Sequence, residues 1–264
     1  MKIGVIGLGN MAGAMVGGIL RAGLVDKSDI TGADRSEVQI EAAKANLGIN
    51  TTNDNLEAIS GADIIILAVK PQVYPVVLDE IKNEIKAEQV IISIAPGKTL
   101  AYLEGFFGAD KKIVRLMPNT PALVNAGCTG VCKNGNVTAE EFENVMAILG
   151  SFGKAFEVSE NQMDAVVAIS GSSPAYVFMF IEAMADAAVA EGLPRKTAYE
   201  MAAQAVMGSA KMVLDTGKHP GELKDMVCSP AGTTIEAVGV LEQEGFRASV
   251  IDAVRVCADK SRSL

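Results

Sequence analysis

Histidine is almost missing from this 264-residue chain: the single one, His219, lies in Gly217-Lys218-His219-Pro220-Gly221, a turn of exposed character. With no second His, no Cys-His pair and no carboxylate cluster, nucleophilic and metal-dependent mechanisms have no machinery here, and no metal site is expected. Cysteine is sparse as well. Of the four, only Cys128 and Cys132 are close in sequence, without His or further Cys at zinc-ligand spacing. All four therefore read as free, mostly packed thiols, which fits a reducing cytoplasm. Positive charge is in deficit: 23 Lys and Arg against 32 Asp and Glu leave a formal net charge of -9. That balance argues against nucleic acid or an anionic membrane as partner and favours a small metabolite. Long apolar runs are missing too. One long uncharged stretch, 165–181, is shorter than a bilayer span and contains Gly171 and Pro174, so it is not expected to be a membrane helix. The start, Met1-Lys2 followed by a strand-like apolar run that ends in glycines, has no feature of a secretory leader.

What is present is periodic. The length suits two domains. Short β-branched runs at 2–6, 29–33, 49–51, 63–69, 90–94 and 113–117 alternate with helical segments, the pattern of a doubly wound parallel α/β sheet. Residues 128–133, a helix opened by Thr138 with Glu141 completing a capping box, and 152–158 finish this part. The boundary is expected near Ser159, giving a dinucleotide-binding domain at 1–159. From 160 to 264 Ala, Met and Leu recur at helical spacing, which predicts an all-α domain. Its helix over 176–190 is apolar almost all round, with only Glu182 and Asp186 as a thin polar stripe. Such a helix is covered either by its own neighbours or by a second subunit; a modest domain favours the subunit.

Gly7-x-Gly9-x-x-Ala12 follows the first strand and opens a helix, the context a dinucleotide fingerprint requires, although the same turn without ligand would read alike. At the end of the second strand, Asp34 suits a ribose diol while Arg35 and Ser36 suit a 2′-phosphate. A helix cap and a solvated charge are the bland alternative. NADPH is the expected cofactor, with NADH also usable. Ala68-Val69-Lys70-Pro71 and Ala95-Pro96-Gly97 fall at carboxyl ends of the fourth and fifth strands, the edge where ligands bind. Lys70 either touches the cofactor or stays solvated at the rim. In the helical part, Ser170-Gly171-Ser172-Ser173-Pro174-Ala175-Tyr176 interrupts two apolar segments, either as a plain turn or as a place where ligand meets backbone. Ser229-Pro230-Ala231-Gly232-Thr233-Thr234 carries more hydroxyls than a helix cap needs and is read as a carboxylate site at a helix start.

On Gly7-Leu8-Gly9-Asn10-Met11, Ala68-Val69-Lys70-Pro71, Met117-Pro118-Asn119-Thr120-Pro121, Ser170 to Tyr176, and His219-Pro220-Gly221 through Glu236, taken in order, the chain resembles the pyrroline-5-carboxylate reductases end to end. The resemblance implies a Rossmann domain, a helical dimerisation domain, dimers that in some members assemble into a decamer, and NAD(P)H-dependent reduction of a cyclic imine to proline in proline biosynthesis. It also implies that Asn10, Met11, Ser36 and Asn55 contact the cofactor and that Glu160 lies near the proline pocket. Ser229 and backbone around Gly232 and Thr233 would hold the substrate carboxylate across the dimer interface, Thr234 would meet the ring nitrogen, and Ser172 would border the substrate. Pro96 and Ala231 depart from the residues many members carry there, Ala and Gly. Two rivals remain: a hydroxyacid dehydrogenase, which would place a Lys early in the helical domain, where none lies between Lys154 and Lys196, and a cofactor-bound sensor, which would lack the Ser229 to Thr234 chemistry.

Overall fold

All eight expected runs are strands: β1 (Ile3–Ile6), β2 (Ile30–Ala33), β3 (Asn50–Thr52), β4 (Ile64–Leu67), β5 (Val90–Ser93), β6 (Lys112–Met117), β7 (Gly127–Lys133) and β8 (Gly153–Glu157). In the computed structural model, which describes residues 1–263, they join one sheet in the order β3-β2-β1-β4-β5-β6-β7-β8. β1, β4 and β5 are buried along their whole length, so they read as Ile-Gly-Val-Ile, Ile-Ile-Ile-Leu and Val-Ile-Ile-Ser instead of alternating apolar and charged residues. Successive residues of β4 divide between the two faces. Ile64 and Ile66 pack with α1 (Asn10–Arg21), α2 (Glu37–Leu47) and α6 (Ala139–Gly150), whereas Ile65 and Leu67 pack with α3 (Asn55–Ile59), α4 (Tyr74–Ile81) and α5 (Leu100–Phe107). The expected capping box is formed: Thr138 Oγ1 accepts from the Glu141 amide and Glu141 Oε2 accepts from the Thr138 amide.

The sheet is not parallel throughout. β7 runs antiparallel to β6, because the link at 118–126, containing only a 3-10 turn at Thr120–Val124, is shorter than the dozen or so residues a parallel crossover needs. With α6 as the next connection, β8 is parallel to β7 again.

Contacts divide the chain into two units, residues 1–172 with 257–263 and residues 173–256. Residues 160–172, which the sequence pattern assigned to the helical part, thus count with the sheet: Met163 of α7 (Met163–Val166) is buried in its core. The stretch from Ser170 does not form an open turn. Residues Val167–Gly171 widen into a single π turn, a device common at functional sites, and α8 (Ser173–Ala190) follows at once. The helical run Glu160–Ala190 is longer than the uncharged stretch within it, and by length and composition alone it suffices to cross a membrane.

The second unit contains α8, α9 (Arg195–Thr216), α10 (Pro220–Val227), α11 (Thr233–Gln243) and the first part of α12 (Phe246–Arg262). α8 and α9 lie side by side, joined by Arg195 to Asp186, and Phe180 meets Phe246 at 6.0 Å between ring centroids. Among the described residues, only Ala185, Ala198 and Ala202 of this unit are buried. Phe178 and Met179 are 62% and 69% exposed.

Candidate active site

The strand order reverses at β1: the chain leaves it for β2 and β3 on one side and returns to β4 on the other. At such a switch point the loops diverge and leave a crevice at the carboxyl ends of the strands. A cavity of about 440 Å³ occupies it, lined by Gly7 and Gly9 after β1, Asp34, Arg35 and Ser36 after β2, Asn55 after β3, and Ala68, Val69 and Lys70 after β4. Gly7 adopts φ +94°, and a Cβ there would sit 2.8 Å from the Ala68 carbonyl carbon, so the turn needs glycine. Gly9 differs: a Cβ on it would meet nothing within 4 Å. It is the N-cap of α1 and carries no side-chain cap, so open space and free amides coincide at this helix start.

Asp34 is committed to the protein. Its Oδ2 accepts from the Leu8 amide at 2.8 Å and its Oδ1 from the Ser36 amide at 2.9 Å, clamping the β1 turn to the β2 turn. Arg35 and Ser36 are exposed at the cavity, with Arg35 Nη2 4.0 Å from Glu80 Oε2. Asn55 is buried, at the first turn of α3, whose cap is Asp54, and its Nδ2 donates to the same Glu80 oxygen at 3.0 Å.

Of the other residues named for the cofactor, Asn10 lines a neighbouring cleft of about 300 Å³ and Met11 packs against the core. Pro71 starts a 3-10 turn; it, Pro96 and Gly97 do not line the main cavity, although Gly97 does turn the chain at φ +73°. Buried Tyr74 ties the β4 and β5 ends together: its hydroxyl donates to the Leu67 carbonyl at 2.8 Å and accepts from Ser93 at 3.0 Å. Burial pushes this phenol far above its ordinary pKa, so it keeps its proton.

Glu160 Oε1 accepts from the Leu100 amide at 2.7 Å and from Arg115 Nη1 at 3.0 Å. Arg115 is a buried cation on β6, opposite Cys132 of β7. Burial raises the Cys132 thiol to about 11, with Glu160 adding to the rise and Arg115 opposing it. Ser172 Oγ accepts from Cys257 Sγ at 3.2 Å.

In the second unit, Ser229 to Gly232 form a turn closed by the Gly232 amide on the Ser229 carbonyl at 3.1 Å. Ala231 sits at φ 55°, a conformation ordinarily left to glycine. Gly232 is the N-cap of α11 without a side-chain cap, and a Cβ on it would collide with Ser229 Oγ. Thr233 and Thr234 are the first two residues of that helix. The amides of this first turn therefore carry no side-chain cap, with the hydroxyl residues Ser229, Thr233 and Thr234 close in sequence. His219 has a structural task, its Nδ1 capping α10 by accepting from the Gly221 amide at 3.0 Å. No group of three or more His, Cys, Asp and Glu suited to a metal occurs among the described residues.

Residues 160–264 match the family model for pyrroline-5-carboxylate reductase dimerisation, and residues 2–97 match that of the NADP oxidoreductases described as coenzyme F420-dependent. The pyrroline-5-carboxylate reductase of Escherichia coli is 54% identical over 263 residues, covering 100% of this chain and 98% of its own. The chain belongs to the pyrroline-5-carboxylate reductase family. A reductase of that name from Methanosarcina acetivorans is 45% identical, covering 100% of this chain and 97% of its own. The solved Plasmodium falciparum pyrroline carboxylate reductase with NADP bound superposes with a TM-score of 0.91 at 36% identity, covering 100% of this chain and 97% of that one.

Three polar residues that organise this family member's first unit escaped the sequence reading: Tyr74, Glu80 and Arg115. Arg115 left a trace as a lone charge within the apolar run Ile113 to Met117. Glu80 looks like any solvated helix acid, and only the meeting of α4 with Asn55 and Arg35 distinguishes it.

Proposed function

We infer that the chain reduces 1-pyrroline-5-carboxylate to L-proline with NADPH, NADH serving as an alternative. The full-length 54% match to a reductase of that name carries the reading. The fit of the cavity supports it, because the uncapped start of α1 at Gly9 suits a pyrophosphate and Arg35 with Ser36 suits a 2′-phosphate. Gly7, Gly9, Asn10, Met11, Arg35, Ser36, Asn55, Ala68, Val69, Lys70, Pro71, Pro96 and Gly97 are proposed to contact or shape the cofactor site. When bound, the nicotinamide supplies a hydride to the C=N carbon of the substrate.

The protein's own contribution is orientation. Ser229 and the amides at Gly232 and Thr233 hold the substrate carboxylate, with Glu160 and Ser172 bordering the substrate. Thr234 hydrogen-bonds the ring nitrogen, which carries its proton in the iminium and keeps it in proline as the carbon is reduced. A protonated imine needs little further acid. Asp34 clamps the β1 turn to the β2 turn at this cavity.

Residues 1–159 serve the cofactor and 160–264 serve dimerisation and substrate, in a cytoplasmic homodimer that assembles further, as far as a decamer. The exposed side chains of α8 meet a second copy and not lipid. Supporting this are the dimerisation match over 160–264 and the charged Glu160 and Asp164 at one end of the apolar run, held by Arg115 and Ser261. Neither nucleic acid nor a membrane is a partner on this reading.

The test is turnover of NADPH against the cyclic imine and a panel of keto acids. Thr234→Val should lower kcat/KM for the imine by roughly ten- to a hundredfold and leave NADPH affinity unchanged, the loss of one hydrogen bond to the reacting group. Imine turnover at the parent rate by this variant removes Thr234 from the mechanism, and a preference for keto acids removes the reading altogether.

A further inference from the structure

One charged side chain that contacts two residues of the cavity lining, without being part of that lining, has no part in the reading above. Glu80 belongs to α4, whose Val77 and Ile81 are buried while the Glu80 side chain remains 34% exposed. Its Oε2 serves two partners at once, accepting from Asn55 Nδ2 at 3.0 Å and lying 4.0 Å from Arg35 Nη2. Both partners line the cofactor cavity, one from the end of β3 and one from the end of β2. They differ in freedom. Asn55 is buried, so its amide is fixed by the bond to Glu80, whereas Arg35 is 68% exposed and its long pairing with Glu80 is loose.

A carboxylate in this position treats the two nicotinamide cofactors differently. A ribose with a free 2′-hydroxyl leaves the Arg35 to Glu80 pairing undisturbed. A 2′-phosphate draws the Arg35 guanidinium into a charge-assisted pair of its own. Glu80, still held by Asn55, is then left as a negative charge beside a phosphate of about −1.5 to −2. Repulsion at this partly exposed range is modest and sensitive to salt.

We propose that Glu80 is a specificity-determining residue that holds the preference for NADPH over NADH below the level Arg35 alone would set, and that it positions Asn55 for both cofactors. The proposal rests on the assignment of this cavity to NADPH. It separates two properties of one side chain, charge and hydrogen-bond acceptance, which two substitutions distinguish. Glu80→Gln keeps an acceptor for Asn55 and removes the charge; Glu80→Ala removes both.

The experiment is a fluorescence titration of parent, Glu80→Gln and Glu80→Ala with NADPH and with NADH, at low and high salt. Glu80→Gln should tighten NADPH by roughly three- to tenfold while NADH stays within about twofold of the parent. The gain should shrink toward the parent value at about 0.5 M salt. Glu80→Ala should bind both cofactors more weakly than Glu80→Gln by a common factor, the mark of a released Asn55. Unchanged NADPH-to-NADH selectivity in Glu80→Gln, or a loss of it, overturns the proposal while parent binding of NADPH keeps the cofactor assignment intact. A parent that binds no NADPH overturns both.

Discussion

The two units of this chain solve the problem of burial in opposite ways. The sheet unit encloses its own core on both faces, with Ile65, Ile66, Leu67, Tyr74 and Phe152 among its fully buried side chains. The helical unit buries three alanines and leaves Phe178, Met179, Met201, Met207 and Leu214 open. Apolar area removed from water is the main source of stability, at about 25 cal/mol per Å². A unit that exposes its largest apolar side chains matches the proposal that a second copy covers it. The difference separates two kinds of sensitivity: the first unit responds to changes in backbone fit at single residues, the second to changes on its surface.

The largest expected effect lies in the second unit. The double substitution Phe178→Asp with Met179→Asp should raise the dimer dissociation constant by at least about a hundredfold, since charge placed at the centre of an apolar contact costs far more than truncation. Light scattering across a dilution series measures it. A variant that stays as tightly associated as the parent would show that α8 is not the shared surface.

Next is the first unit's turn at Gly7. Gly7→Ala brings a Cβ to 2.8 Å from Ala68 backbone at φ +94°, so the loop must shift. NADPH affinity should fall on the order of tenfold or more, with association state unchanged. Equal affinity in parent and variant would remove Gly7 from the cofactor site and weaken the contrast between the units.

The smallest effect concerns pH. The Cys132 thiol is raised from 9.0 in its unperturbed state to about 11 in the fold, chiefly by burial. The neutral form is the one the fold accepts, so this contribution is fully present below about pH 9 and is lost as pH rises toward about 11. Urea unfolding midpoints between those values should fall less steeply in Cys132→Ala than in the parent, provided the unfolding of the sheet unit is followed. Identical slopes would show that the thiol stays out of the alkaline transition.

Much of the fold was legible because its signals are local. Each strand run stands between breakers, Thr138 and Glu141 are three residues apart, and Gly7 and Gly9 follow the first strand directly. The grouping of Gly7, Gly9, Arg35, Ser36, Asn55, Ala68, Val69 and Lys70 at one cavity was legible for the same reason, each following closely on a strand end. Pro96 and Gly97 were named from their place after a strand, yet β5 lies one strand beyond β4, and its loop does not reach the cavity lining. The reversal of β7 was hidden, since a strand's direction depends on the length of its connection and leaves no mark in its own residues.

The sequence by itself determined the strand and helix runs, the turn at Gly7, the cap at Thr138 and the family, because each is written in neighbouring residues or in ordered motifs. Tertiary structure alone decided that Asp34 clamps two loops, that Arg115 and Glu160 pair across 45 positions, and that Glu80 serves Asn55 and Arg35 together. The reason is physical: a carboxylate's role is set by the donors within about 3 Å of it, and chain folding brings those donors from strands and helices far apart in sequence.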